Sequence, residues 1–300
     1  MAFKEQFETI GEGLLVRAPA KINLSLLIAG KRPDGFHEIE SIMAKVDLFD
    51  ELFIEHTRKP GIEILCKGPC WAPPGKENLI HKACRMLLEG RRSQPHIRIT
   101  LTKNIPAGAG LGSASSDAAA ALLGVKRFLK LDVPQRSLAK WASGVGSDVP
   151  FFLDGPLALC TGKGEKIKKL NENFNFRALL ILPDVSVSTK KVYANYQHDP
   201  ALYRQLSATI SRYFQNNRID LASKICANML ETTCFRMYKG LAELKAKTES
   251  LGIGPLCLTG SGAGMFLLLN SPHAQRARHY QHKLQQKVGC KSVIVSNNRW

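Results

Sequence analysis

The stretch Asn104-Ile-Pro-Ala-Gly-Ala-Gly-Leu-Gly-Ser-Ala-Ser-Ser-Asp117 decides how the chain is read. The alternating run His96-Ile-Arg-Ile-Thr-Leu101 precedes it and the alanine-rich Ala118 to Val125 follows, so the local order is strand, loop, helix. Gly108, Gly110 and Gly112 remove the β-carbons that would hold a backbone away from a bulky anion. Ser113, Ser115 and Ser116 place hydroxyls beside the free amides of a helix N-terminus. That is the chemistry of a phosphate cradle. Taken alone, an ordinary Gly/Ser turn leading into a capped helix accounts for the same residues. No Gly-Lys-Ser/Thr closes the loop, as a Walker A motif requires, and the glycine spacing is not that of a dinucleotide fold. A phosphate site here has to be of a third design.

Outward from the loop, apolar alternation in Leu14 to Arg17, Ile22 to Ile28, Ile39 to Val46, Leu52 to Glu55 and Ile62 to Leu65 predicts strands. Their short connections make them mostly antiparallel. Helical periodicity is expected over Asn78 to Leu88, Ser115 to Leu129 and Gln135 to Ser143, and a hairpin over Leu157 to Thr161 and Lys166 to Leu170. After the polar stretch Asn171 to Asn175 come strands at Ala178 to Leu182, Pro255 to Thr259, Met265 to Leu269 and Ser292 to Val295. Helices are expected near Val192 and over Ala201 to Phe214, Leu221 to Leu230, Phe235 to Leu251 and Ala274 to Val288. The pattern reads as an α+β chain of two domains, 1–170 and 171–300.

The composition sets bounds. A chain of 300 residues with 44% hydrophobic content can bury one large core or two moderate ones. The first ten residues resemble neither a signal nor a transit peptide, and no apolar run reaches the roughly 20 residues of a membrane span, so the expected setting is the cytoplasm. Eight scattered cysteines predict reduced thiols rather than a disulfide framework or a zinc site. The net charge of +17 fits phosphorylated ligands, nucleic acid or a solvated surface equally. No basic stretch is interleaved with aromatics as a stacking platform would be, which argues against nucleic acid.

Three further segments carry candidate chemistry. In Ala18-Pro-Ala-Lys-Ile-Asn-Leu-Ser-Leu26, Lys21 and Asn23 are two apart on a strand and share a face; a partly exposed sheet would show the same pattern. Arg32-Pro-Asp-Gly-Phe-His-Glu38 delivers Phe36, able to stack on a planar base, beside His37, able to hydrogen-bond its edge, or forms a plain surface hairpin. Gly144-Val-Gly-Ser-Asp-Val-Pro-Phe-Phe152 sets Asp148 in a turn before an apolar strand, as a turn former or as a general base kept ionised by a lysine. A second glycine loop, Leu258-Thr-Gly-Ser-Gly-Ala-Gly-Met265, can approach phosphates or the first loop.

In this order, Pro19 to Asn23, Pro106 to Ser116 and Thr259 to Gly264 resemble the three motifs of the GHMP kinase superfamily of small-molecule kinases. Arg32 to Glu38 and Gly146 to Phe152 resemble most closely its branch that phosphorylates a cytidine diphosphate polyol for isoprenoid synthesis. The resemblance implies a two-domain kinase with its active site between domains, using ATP and Mg2+ to phosphorylate a tertiary hydroxyl. It implies that Asp148 is the catalytic base and Lys21 its partner. The ATP side would comprise Pro106, Ala107, Gly108, Ala109, Gly110, Leu111, Gly112, Ser113, Ala114, Ser115 and Ser116, with Asn78 near the adenine. The acceptor side would comprise Asn23 and His37 reading the cytosine, Phe36 stacked on it, Tyr193 as a second ring, and Thr189 and Gly262. Ser188 and Lys190 stand where the family often has prolines, and Ser113, Ala114 and Asp117 also depart from the common loop. For Asp117 two readings stay open, a water-mediated Mg2+ contact or an acid complementing the helix dipole, and it is left outside the catalytic set. The family also contains mevalonate and homoserine kinases, for which Phe36 and His37 would have no base to contact. A basic nucleic-acid-binding module with structural glycine loops is the rival from another class.

Overall fold

The computed structural model describes residues 4–90, 95–170, 175–216, 218, 225–269 and 274–300. Two long strands dominate: β2 (Gly13–Lys31) and β3 (His37–His56) pair antiparallel over nearly their whole length. Each absorbs two of the separately expected strands, because register shifts at Pro19/Ala20, Asn23/Ser25 and Ile28/Gly30 let one ribbon bend without ending. Around them, β1 (Phe7–Ile10), β4 (Gly61–Lys67), β5 (His96–Thr102), β6 (Leu157–Gly162) and β7 (Lys166–Lys169) complete a seven-stranded sheet among the described residues. The β4 and β5 pair is parallel, since α1 (Leu79–Leu88) lies between them in sequence as a crossover. A second sheet runs in the order β11 (Lys291–Ser296), β8 (Arg177–Leu182), β10 (Met265–Leu269), β9 (Cys257–Leu258).

Helix α2 (Ser113–Phe128) follows the first glycine loop and lies against the large sheet. Its tract Ala118 to Val125 is small for a reason: a β-carbon on Gly124 would stand 2.7 Å from both Ile54 Cδ1 and Val16 Cγ2. The helix therefore sits close enough for Val16, Leu52 and Ile54 to be wholly buried beneath it, each worth about 1.5–3 kcal/mol of removed apolar surface. Helix α3 (Gln135–Val145) leads to α4 (Val149–Leu153). Beyond β8 come α5 (Thr189–Ala194), α6 (Pro200–Gln215), α7 (Glu231–Met237), α8 (Lys239–Ser250) and α9 (Ala274–Lys287). No described helix is long and apolar enough to cross a membrane.

Several expectations need correction. The apolar run after Asp148 is the short helix α4, not a strand; five residues are too few to show a period, and Pro150 stands in its first turn, where proline is tolerated. The helix expected over Leu221 to Leu230 begins outside the described residues. Its described part is not helical, because Leu26 donates to the Ala227 carbonyl at 2.7 Å and accepts from the Met229 amide at 2.9 Å, forming a bridge to β2. The helix expected over Phe235 to Leu251 is two, broken at Tyr238, whose ψ of 72° leaves the helical region. Cys226 and Cys257 form a disulfide, which corrects the reading of the cysteines as reduced thiols; their separation of 31 residues gave no sign that the fold brings their Cα atoms to 5.2 Å. Cys66, Cys70, Cys84, Cys160, Cys234 and Cys290 are free.

Candidate active site

The first glycine loop folds as a tight cradle. Gly108, Gly110 and Gly112 all have φ near +70°, the left-handed region, and at Gly110 a β-carbon would lie 2.1 Å from the Thr259 carbonyl oxygen. Only glycine lets the two loops meet there. The second loop is bonded to the first through the Gly264 amide and the Ala109 carbonyl at 3.1 Å, as its glycine content suggested. Gly112 is the N-cap of α2, so the first amides of that helix open toward the cradle.

Lys21 and Asn23 share a face of β2, as their spacing predicted, and the Lys21 ammonium donates to Asn23 Oδ1. Asn23 is fixed on two more sides: its Nδ2 donates to Ser41 Oγ at 2.8 Å, and its amide donates to Thr259 Oγ1 at 3.1 Å. Lys21 is almost wholly buried, and its Nζ lies 3.8 Å from Asp148 Oδ2. Burial lowers the Lys21 pKa, while the Asp148 charge opposes that shift. Asp148 stands at the N-terminus of α4 with its side chain partly open to the cavity. Behind it, Lys45 donates to the carbonyls of Phe152 and Asp154 at the far end of α4. Burial pushes Lys45 down to about 7. Lys45 has no motif around it in the sequence, yet its register with Lys21 on the neighbouring strand marks the same face.

The glycine cradle, Lys21, Asn23 and Asp148 open on a cavity of about 1070 Å3, just above the roughly 300–1,000 Å3 typical of small-molecule sites. Pro106 through Ser115, Asn78, Lys21, Asn23 and Asp148 line it, as do Phe36, His37, Thr189 and Tyr193. Ser116 and Gly262 do not. Ser116 is 1% exposed, and Gly262 turns toward Val187 and Cys234. The His37 and Tyr193 rings are 5.3 Å apart at 40°, and Tyr196 meets His37 edge-on at 5.9 Å. His37 is held below its ordinary pKa by burial and by the nearby Lys31 and His198 charges, which favours a neutral imidazole. Burial, with Asp148 adding to it, raises the Tyr193 phenol. Phe36 is half exposed, with Lys163 Nζ 4.8 Å above its ring. Thr189 Oγ1 and Ser261 Oγ are 2.7 Å apart and join α5 to the second loop. Asn78 reaches the cavity wall while its Oδ1 caps α1 at the Ile80 amide.

Sequence reasoning also missed Trp71 and Asn228 and misplaced Asp117. Trp71, 71% exposed at the cavity, sits in a Gly/Pro-rich stretch with no periodicity. Asn228 donates to the Leu258 and Gly260 carbonyls at 2.9 and 2.8 Å, a role set by tertiary pairing alone. Asp117 is neither exposed nor in the first turn of α2, which removes the dipole reading; it is buried against Lys103 Nζ at 2.5 Å. The lysine three residues before the loop's proline was the available signal.

Comparison with known proteins agrees with this geometry. Residues 78–156 match the GHMP kinases N terminal domain and residues 210–283 the GHMP kinases C terminal domain. The 4-diphosphocytidyl-2-C-methyl-D-erythritol kinase of Geobacter sulfurreducens is 36% identical over 264 residues, 87% of this chain and 91% of that protein. A crystal structure of a 4-(cytidine 5'-diphospho)-2C-methyl-D-erythritol kinase superposes with a TM-score of 0.75 at 29% identity, covering 95% of this chain and 100% of that one. A homoserine kinase from Cytophaga hutchinsonii reaches the same TM-score at 20% identity, covering 99% and 98%, which is a likeness of fold. With a glycine cradle, a lysine and aspartate pair and an aromatic recess on one cavity, the chain belongs to the GHMP kinases, among the 4-diphosphocytidyl-2-C-methyl-D-erythritol kinases.

Proposed function

We propose that the protein transfers the γ-phosphoryl group of ATP to the 2-hydroxyl of 4-diphosphocytidyl-2-C-methyl-D-erythritol, with Asp148 as general base. The observation that carries this reading is the pairing of Lys21 Nζ with Asp148 Oδ2 at 3.8 Å, on the cavity that also holds the glycine cradle and the recess of His37 and Tyr193. The cradle amides and the α2 N-terminus hold the phosphates. Asp148 takes the hydroxyl proton as the oxygen attacks the γ-phosphorus, the bond to the β-phosphate oxygen breaks, and ADP leaves. Lys21 meets the Asp148 carboxylate at 3.8 Å and places positive charge where negative charge moves. Neutral His37, with Asn23, reads the edge of the cytosine, while Phe36 and Tyr193 supply ring faces. Domains 1–170 and 171–300 each contribute one side of the cavity.

Mg2+ fits this site as a cation carried by the nucleotide. Among the described residues no group of three His, Cys, Asp or Glu side chains forms a metal cage, and Mg2+ in kinases is held by one or two protein oxygens together with the phosphates. Of the side-chain oxygens on the wall, which also include those of Asp34, Glu77, Ser113 and Asp117, the Asp148 carboxylate and the Ser115 hydroxyl would serve, and the ion would neutralise phosphate charge. ADP formation with ATP and Mg2+, compared among diphosphocytidyl methylerythritol, mevalonate, homoserine and no acceptor, tests the reading. Turnover confined to the cytidine acceptor is the expected result; turnover only with another acceptor would discard the cytosine recess.

A further inference from the structure

Asp50 lies in the middle of β3, wholly buried, and is remote in sequence from every motif of the site. A buried carboxylate is costly unless its oxygens are bonded and its charge is met. Here both conditions hold, and the partners are informative. Oδ1 accepts from the Asn104 amide at 2.6 Å and the Ile105 amide at 2.8 Å, at the entrance of the first glycine loop. Oδ2 accepts from Ser113 Oγ at 3.0 Å, at the loop's exit and the first residue of α2. Lys103 Nζ, 2.5 Å from the same oxygen, also donates to Ser113 Oγ and reaches Asp117 Oδ2. One carboxylate thus holds both ends of the loop.

Between those ends lie three glycines in the left-handed region, and glycine gives a loop the largest conformational freedom to lose on ordering. A cradle that binds by backbone amides works only if those amides already converge, since ordering them on binding would subtract from affinity. We propose that Asp50 is a positioning residue for phosphoryl transfer: by tying the Asn104 and Ile105 amides to the Ser113 hydroxyl, it sets the width at which the glycine loop meets the nucleotide phosphates. The Lys103 ammonium meets the Asp50 charge, so the anchor does not present a bare anion beneath an anionic ligand. This rests on the reading that the loop holds the phosphates of ATP.

The test is steady-state kinetics of Asp50→Asn, with ATP and the cytidine acceptor varied separately. The amide has nearly the carboxylate's shape but turns a donor toward Lys103 or the loop amides. KM for ATP should rise about tenfold or more while KM for the acceptor stays within about twofold. A purely structural role would lower the active fraction, and with it kcat, leaving KM for ATP unchanged; that outcome in folded Asp50→Asn protein overturns the proposal. Should that variant not fold, Ser113→Ala removes the exit tie together with the hydroxyl that Lys103 donates to and should raise KM for ATP by about threefold or more, with Ser113→Thr, which keeps the hydroxyl that bonds Asp50, restoring it. ATP affinity in Ser113→Ala equal to wild type overturns the proposal on its own. The two failures are distinguishable: a wild-type protein that does not saturate with ATP removes the phosphate reading, whereas saturation with no change in either variant removes Asp50 alone.

Discussion

A lysine stripped of its water favours losing its proton, and only an anion nearby keeps it a cation. Lys21 is in that position, and Asp148, with its side chain partly open to the cavity, is the anion. Asp148→Asn keeps the shape and removes the base, so kcat should fall by about 10²–10⁴, the range of general base catalysis. KM for ATP should stay nearly constant; near-normal turnover in that variant would take Asp148 out of the mechanism. His37→Ala empties one side of the recess shared with Tyr193 and should raise KM for the cytidine acceptor about tenfold with little change for ATP. An unchanged acceptor KM would end the base-reading role. Asp117 gives a pH signature. Burial, with Asp50 beside it and Lys103 opposing, pushes its carboxyl up to about 8 from 3.8. The folded protein therefore keeps a proton that the unfolded chain has released, and the stability this contributes is full below about pH 4 and lost as the pH rises through about 8. Urea unfolding at about pH 5 and about pH 8 should show a smaller loss in Asp117→Asn than in wild type, and equal losses would point to another group.

At the scale of elements, the loop and α2 are one device, and its glycines are positional. Gly110→Ala must accept φ of +71° and a β-carbon 2.1 Å from the Thr259 carbonyl. The backbone cost alone is of order 1–3 kcal/mol, and the contact adds to it. A lowered melting temperature with weakened ATP binding is expected; a variant as stable as wild type would mean the second loop yields freely. These elements were the legible part of the chain. The helices α1 and α3 and the hairpin of β6 and β7 follow their periods because each has one apolar face, and α2, buried nearly all round, is marked by its alanine tract after the glycine loop. Helix α4 was not legible, since Val149-Pro-Phe-Phe-Leu153 is apolar on all sides and too short to show a period. The bridge at Asn228 was not legible either, because its partner Leu26 lies far away in sequence. Spacing and turn chemistry singled out Lys21, Asn23, His37 and Asp148, and the family resemblance gave them their roles, whereas Asp50 and Lys45 act through neighbours that only folding supplies and Trp71 reaches the cavity from a stretch with no period.

On the scale of the molecule, the large sheet ends at Lys169 and the second begins at Arg177, yet the halves are joined by backbone. Leu26 bonds Ala227 and Met229, and the Asn298 amide donates to the Lys45 carbonyl at 2.8 Å. The second half thus supplies partners for two strands of the first. Expressed separately, fragments 1–170 and 171–300 should show weak secondary structure by circular dichroism and no kinase turnover, and mixing them should restore both. Full folding of either fragment alone would show the bridges to be dispensable. The contact between the two glycine loops has a further consequence. Because the Ala109 carbonyl and the Gly264 amide share one bond, a ligand that stiffens one loop spares the next ligand part of the ordering of the other. Should nucleotide and acceptor each order one of these loops, reciprocity requires each to tighten the other by the same factor.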